Sequence, residues 1–244
     1  MEKYKPEMSF EENTADGYDV SAVRGDEMAT VAFLEQFAQG GRALELAIGT
    51  GRIALPLAEK GIRVDGIDFS PAMLAKLRAK PGSEKLTITL GNFADVAVPG
   101  TYDLIYLVFN TLFNLPTQDE QVRCFVNTAA HLTGKGFFVI EGGIPTEFCR
   151  LRNNQYVDLE ALEVDNVRLD LARYDPVRQL LEETHVTLSS RGTQLNPIIT
   201  RYAWPAELDL MARIAGLHLK ERWSTWSREP ITASSRNCIS VYGR

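Results

Sequence analysis

The chain has 244 residues, enough for one large domain or for a domain carrying a sizeable insertion. Hydrophobic residues make up 45% and charged residues 24%, the balance of an ordinary globular protein rather than a disordered or disulfide-built one. Lys and Arg number 26 against 32 Asp and Glu, a net charge of −6, and Arg150, Arg152, Arg168 and Arg173 are interspersed with acids, so no nucleic-acid partner is expected.

No run approaches the roughly 18 apolar residues that a membrane span needs. Met1-Glu2-Lys3-Tyr4-Lys5-Pro6 carries charge with no apolar core behind it, which does not read as a signal peptide. The expected location is cytoplasmic, without membrane association. Cys124, Cys149 and Cys238 lack metal-ligand spacing and read as small buried hydrophobes in a reducing compartment. No metal is expected.

The lead through about Gly25 is polar, with Tyr4, Phe10 and Tyr18 as its aromatic residues. A helix is predicted from Asp26 to Ala38, with Met28, Val31, Phe33, Leu34 and Phe37 as its apolar stripe and Gly40-Gly41 as its stop. Strands and helices then alternate. Arg42 to Ala47 is the first strand, and Gly49-Thr50-Gly51 turns it into a helix ending near Lys60. The second strand is Ile62 to Asp68. Ser70 then caps a helix that has Pro71 at its first position. Further strands are expected at Leu86–Gly91, Leu104–Val108 and Gly136–Glu141, with a helix at Asp119–Leu132. Such repeated units imply a parallel sheet covered by helices on both faces.

After Glu141 the rhythm changes. Val157–Leu162, Val167–Tyr174, Leu180–Leu188 and Leu195–Thr200 are β-rich runs divided by turn signals such as Asp175-Pro176 and Arg191-Gly192, an antiparallel insertion. The α/β pattern resumes with a helix at Pro205–Ala215 and strands at Leu217–Trp223 and Asn237–Tyr242. Residues 1–40 read as an N-terminal lid and first helix. Residues 41–145 with 203–244 form the core, and 146–202 an insertion capping the active site. Tyr18 and Arg24 are candidates for folding over a ligand as that lid. A homodimer, if one forms, is expected through the insertion.

The chemistry concentrates in Ala43-Leu44-Glu45-Leu46-Ala47-Ile48-Gly49-Thr50-Gly51, a buried strand that runs into a glycine turn opening a helix. Glycines there permit positive φ and let a ligand lie on the backbone. Asp68 ends the next strand, where a carboxylate can accept both hydroxyls of an adenosine ribose. That pair defines a nucleoside site, not yet a reaction. The turn lacks the G-x-G-x-x-G spacing that seats a pyrophosphate. Phe69 and Met73 offer an aromatic ring and a thioether to sandwich adenine. Asn92 and Phe93 close the third strand, where an amide oxygen could accept the adenine amino group.

In order and motif, Ala43 to Glu141 resembles the class I S-adenosylmethionine-dependent methyltransferases. Glu45-x-Ala47-x-Gly49-x-Gly51 is similar to their first motif, and Gly66 to Leu74 to their second strand and helix. The tail from Pro205 to Tyr242 is similar to the closing helix and hairpin of small-molecule members. The resemblance implies a Rossmann-like α/β fold with a mostly parallel seven-stranded sheet and, here, an antiparallel insertion after strand five. It implies S-adenosylmethionine as cofactor, with Glu45 near the methionine amino end, Asp68 on the ribose, Phe69 and Met73 at the adenine, and Leu107-Val108 under the methyl donor. Tyr18, Ala47, Gly49, Thr50, Gly51, Asn92 and Phe93 complete the expected cofactor set. Ala47 stands where the family usually has Gly, and Asn92 where it often has Asp.

Methyl transfer from a sulfonium releases a neutral thioether, so no general acid is required, and a base only if the acceptor is a hydroxyl. Acceptor contacts are expected from Asn110, Phe113 and Asn114 after the fourth strand and from Tyr202, which ends the insertion. Glu141 and His185 are the candidate catalytic residues. His131 reads instead as a helix C-terminal cation, His218 as a surface residue, and Trp223 and Trp226 as packing residues. The expected activity is methyl transfer to an oxygen or nitrogen of a small metabolite. A nucleotide-dependent oxidoreductase and a non-catalytic S-adenosylmethionine-binding protein are the rivals.

Overall fold

The computed structural model describes Ser9, Tyr18, Asp19 and residues 24–95, 98–146 and 151–244. Tyr4, Phe10, Cys149, Arg150 and most of the expected lid therefore lie outside the described residues.

Seven strands form the main sheet: β1 (Arg42–Leu46), β2 (Arg63–Asp68), β3 (Thr87–Leu90), β4 (Tyr102–Leu107), β5 (Leu132–Gly143), β10 (His218–Trp223) and β11 (Asn237–Gly243), in the order β3-β2-β1-β4-β5-β11-β10. All neighbours run parallel except β11, which is antiparallel to both β5 and β10. Central β4 is covered on both faces, with Leu104, Ile105, Tyr106 and Leu107 fully buried, hence its continuous apolar run. The expected Rossmann-like α/β fold is borne out. β5 begins at Leu132, earlier than predicted, because Leu132 already pairs with Tyr102 where helix α4 ends.

One face is covered by α1 (Glu27–Ala38), α2 (Ala54–Glu59) and α3 (Pro71–Arg78), the other by α4 (Gln118–His131) and α5 (Pro205–Ile214). On α1, Val31, Phe33, Leu34 and Phe37 are buried, whereas Met28 of the predicted stripe is 68% exposed. Gln39 and Gly40 take left-handed conformations and end the helix. Ser70 caps α3 by accepting the Met73 N–H, with Pro71 at the first turn. Trp226 packs edge-on against Phe33, as expected of a packing residue. Among the described residues no helix is long and apolar enough to cross a membrane.

A second, antiparallel sheet holds β6 (Gln155–Leu162), β7 (Asn166–Asp175), β8 (Leu180–Ser189) and β9 (Gly192–Arg201), in chain order. Ala172, Tyr174, Leu181 and Tyr202 join it to the same apolar cluster as α4 and α5.

The connection from β3 at one edge back to β4 beside β1 creates a switch point at the carboxyl ends of β1 and β4, where α/β sheets bind ligands. The β1 turn is seated there by Gly66 of β2. A Cβ on Gly66 would stand 2.2 Å from Ile48 Cδ1, and the Ile48 N–H donates to Ile67 O at 2.9 Å. Gly66→Ala is expected to destabilise the fold by about 1–3 kcal/mol through overpacking. Denaturant unfolding checks this, and an unchanged midpoint would show that Ile48 moves aside without cost.

Candidate active site

The turn after β1 is bent by three residues at positive φ: Ala47 at 57°, Gly49 at 54° and Gly51 at 79°. Ala47 is an L-residue in the left-handed region, a strain of about 1–3 kcal/mol of the kind that collects at binding sites. Gly51 has no room for a side chain, since its Cβ would lie 2.3 Å from Leu77 Cδ1 on α3. Asp68 secures the turn. Its Oδ2 accepts the Gly49 N–H at 2.8 Å and its Oδ1 accepts the Ser70 N–H at 2.8 Å. Burial pushes the Asp68 carboxyl above its ordinary value, against the pull of those N–H groups.

These residues open onto a cavity of about 480 Å³, within the usual size of a small-molecule site. Ala47, Gly49, Asp68, Phe69, Met73 and Phe93 line one part of it, together with Tyr18 from the N-terminal lead. Beside Tyr18, Asp19 accepts the Thr50 hydroxyl and pairs with Lys80 at 2.7 Å, so the lead is tied to the glycine turn. The other expected cofactor residues stand behind the wall. Glu45 is buried and accepts the Tyr106 hydroxyl at 3.1 Å, and Thr50, Leu107 and Val108 are buried as well. Asn92 faces solvent, does not line the cavity, and accepts the Ala94 N–H on its amide oxygen at 2.8 Å in a local turn.

The opposite wall comes from the loop after β4, where Phe109 and Asn110 are both left-handed at 60° and 61°. A 3₁₀ turn, Thr111–Asn114, follows. Asn110, Phe113 and Asn114 line the cavity, as does Tyr202, so the four expected acceptor contacts are brought together. Glu141 is placed differently from its expected catalytic role. It is 1% exposed and does not line the cavity; one oxygen accepts the Phe109 N–H at 2.8 Å and the other the Arg24 guanidinium at 2.8 Å. Its carboxylate holds the strained loop and Arg24 in place. The Arg52 and Arg24 guanidiniums lie 3.8 and 4.9 Å from the centroid of the Phe109 ring, contacts of about 0.5–2 kcal/mol each.

His185 is also displaced from its expected role. It sits on β8 beyond the cavity, its side chain 43% exposed, with Nδ1 3.1 Å from Glu160. Its neighbour two residues back, Glu183, does line the cavity, with Leu181 on the same face. Strand alternation placed both on one face; the extent of the cavity along the strand chose between them. Phe109, Arg236 and Asn237 are further lining residues without a distinctive motif.

Glu45 gives a separate prediction. Burial pushes its carboxyl up to about 8, outweighing the Tyr106 hydrogen bond and the Arg52 charge. A folded-state value above the ordinary 4.5 adds stability that is complete below pH 4.5 and is lost as pH rises through about 8. Relative to Glu45→Gln, the wild-type protein should lose stability across that interval, with a slope of up to about 1.4 kcal/mol per pH unit. Denaturant midpoints at pH 5, 6.5 and 8 check this; parallel curves would mean that Glu45 is ionised in the fold.

The residues fit an adenosine-bearing cofactor without phosphates. Asp68 takes backbone N–H groups from Gly49, Ser70 and Phe69, and because a carboxylate has about four acceptor sites it can still accept from a ribose. The turn's N–H groups at Gly49 and Gly51 go to Asp68 and to Ile48 O, so they are not offered to a pyrophosphate. Residues 43–136 match the family described as a methyltransferase domain. Over 96% of this chain and 97% of the relative, the sequence is 28% identical to a cypemycin N-terminal methyltransferase of a Streptomyces species. The fold superposes on the CcbJ methyltransferase from Streptomyces caelestis with a TM-score of 0.91 and 37% identity, covering 98% of this chain and 99% of that one. It also superposes on S-adenosylmethionine-bound CalS10, an amino pentose methyltransferase from Micromonospora echinaspora, with a TM-score of 0.67 and 19% identity over 94% and 95% of the chains, a likeness of fold alone. The chain belongs to the class I S-adenosylmethionine-dependent methyltransferases.

Proposed function

We propose that this enzyme methylates an amine nitrogen of a small-molecule acceptor. The observation that carries the reading is the continuity of one cavity. It is walled by Asp68 and the glycine turn on one side and by Glu183 and Thr200 of the second sheet, with Tyr202 just after it, on another. An acceptor held there lies between the cofactor wall and an acidic, hydroxyl-bearing surface. The name of the cypemycin N-terminal relative supports a nitrogen over an oxygen.

In this reading Asp68 holds the ribose, Phe69, Met73 and Phe93 enclose the adenine, and Ala47 and Gly49 leave room for the methionine arm. Glu45, Thr50, Gly51, Leu107 and Val108 support that wall from behind. Residues 146–202 act as the cap. Tyr18 and Asp19 belong to a lid over the cofactor, which their contacts with the cavity and with Thr50 support. S-adenosylmethionine, when bound, would supply a methyl on a sulfonium, which an acceptor nitrogen's lone pair could take as the C–S pair is left on a neutral sulfur. The protein's task is alignment and exclusion of water, and positioning of this kind accounts for about 7–11 kcal/mol in favourable systems. Phe113, 8% exposed and packed on Gly142, keeps the wall between the two ligands apolar.

The outward face of the second sheet pairs Val157 with Leu171 and Leu159 with Leu169, and Val157 and Leu159 are 69% and 51% exposed. We read this strip as the contact of a homodimer. Sedimentation equilibrium should give a dimer that Val157→Asp with Leu159→Asp converts to monomer; a monomeric wild-type protein would remove the assignment.

The cofactor half is tested by calorimetry with S-adenosylhomocysteine. Asp68→Ala should weaken binding by about 1.5–3 kcal/mol, the worth of charged hydrogen bonds, and unchanged affinity would displace the ribose from Asp68. The acceptor half is tested by release of S-adenosylhomocysteine over a panel of amines and their alcohol counterparts. Methylation is expected on amines; methylation of alcohols alone would overturn the nitrogen reading.

A further inference from the structure

Resting on the amine reading above, we propose that Glu183 receives the acceptor as an ammonium ion at the second-sheet end of the cavity and takes its proton before methyl transfer. The placement follows from register. Tyr156, Ala172, Glu183 and Ile198 form one row across the four strands, and Tyr174, Leu181 and Thr200 form the next. Alternation turns Glu183 to the same side as Leu181, Ile198 and Thr200, which line the cavity with it.

Among the described residues, two carboxylates line this cavity, Asp68 and Glu183. Asp68 is committed to the glycine turn and the cofactor wall. Glu183 is the acid on the acceptor side. Tyr156 from β6 reaches it with its hydroxyl 3.1 Å from Oε1, but that hydroxyl lies 2.7 Å from Asp170 Oδ2 on β7 and has one proton to give. Among the described residues, Asp158 and Glu160 of β6 and His185 of β8 are further ionisable groups on this side, while β9 contributes Ile198 and Thr200. Asp68, Tyr18 and Arg236 line the cavity with Glu183. The neighbourhood on the second sheet is therefore acidic, and it favours a cation over a carboxylate or phosphate as the acceptor's polar group.

An ammonium nitrogen has no lone pair and cannot accept a methyl. When the N–H bond breaks, its electron pair stays on nitrogen and the proton forms an O–H bond on Glu183, leaving a neutral amine beside a neutral acid. Burial first, then the Asp170 charge, pushes the Glu183 carboxyl up to about 7, against Tyr156 and His185. A carboxyl poised there exchanges a proton at neutral pH, where an ordinary carboxylate is too weak a base. The working form is the deprotonated one, so kcat/KM should rise with pH through about 7.

The test uses the full chain saturated with S-adenosylhomocysteine and titrated at pH 7.5 with benzylamine, N-methylbenzylamine and cyclohexylamine and with the matching alcohols. The wild-type protein should bind the amines at least tenfold more tightly than the alcohols. Glu183→Gln should erase the preference, Glu183→Asp should keep part of it, and both should bind S-adenosylhomocysteine as the wild type does, which establishes that they are folded. Turnover of the best amine should lose its limb near pH 7 in Glu183→Gln. A preference kept by Glu183→Gln overturns the role of Glu183 and leaves the amine reading standing. A wild-type protein that prefers alcohols, or prefers neither, overturns both.

Discussion

The site depends on one carboxylate. Asp68 accepts an N–H from Gly49 on one oxygen and from Ser70 on the other, joining the turn after β1 to the start of α3. Without it, the turn would carry an unsatisfied N–H beside a strained Ala47, and the start of α3 would lose its tie to that turn. Such bonds also fix the carboxylate's own orientation, so its remaining lone pairs are aimed before any ligand arrives. Preorganisation of this kind reduces the ordering cost that binding would otherwise incur.

A second strained segment faces it. Phe109 and Asn110 hold left-handed backbone at the end of β4, stabilised by Glu141 from β5 and by the Arg24 and Arg52 guanidiniums over the Phe109 ring. Arg24 precedes α1 and Glu141 lies two residues before the end of β5, so the N-terminal lead is linked to the centre of the sheet. Asp19 repeats the pattern on the other wall through Thr50 and Lys80. The two walls are thus each held by a residue of the N-terminal lead.

The alternation of strands and helices was legible because buried parallel strands read as apolar runs and helices carry caps such as Ser70-Pro71. The nucleoside wall was legible for the same reason: it is built from consecutive residues at strand ends, and Ala47, Gly49, Asp68, Phe69, Met73 and Phe93 all reach the cavity. What failed were inferences that depended on which partner a polar side chain takes and on where the cavity ends. Glu141 was visible as a carboxylate at a strand end, but its neutralisation by Arg24 and the Phe109 N–H comes from a backbone bend and a distant cation. Asn92 was visible as an acceptor, but a local bond to Ala94 competes for its amide. On β8 the period of two placed Glu183 and His185 on one face and could not say where the cavity ends.

The central claim is that an adenosine lies across the ends of β1 and β2 with its sugar on Asp68. A crystal structure of the enzyme with S-adenosylhomocysteine tests it most directly. The account predicts both ribose hydroxyls within hydrogen-bond distance of the Asp68 carboxylate, the adenine beside Phe69 and Met73, and the sulfur directed toward the space between Phe113 and the second sheet. A nucleoside bound elsewhere, or a ribose with no contact to Asp68, would contradict it.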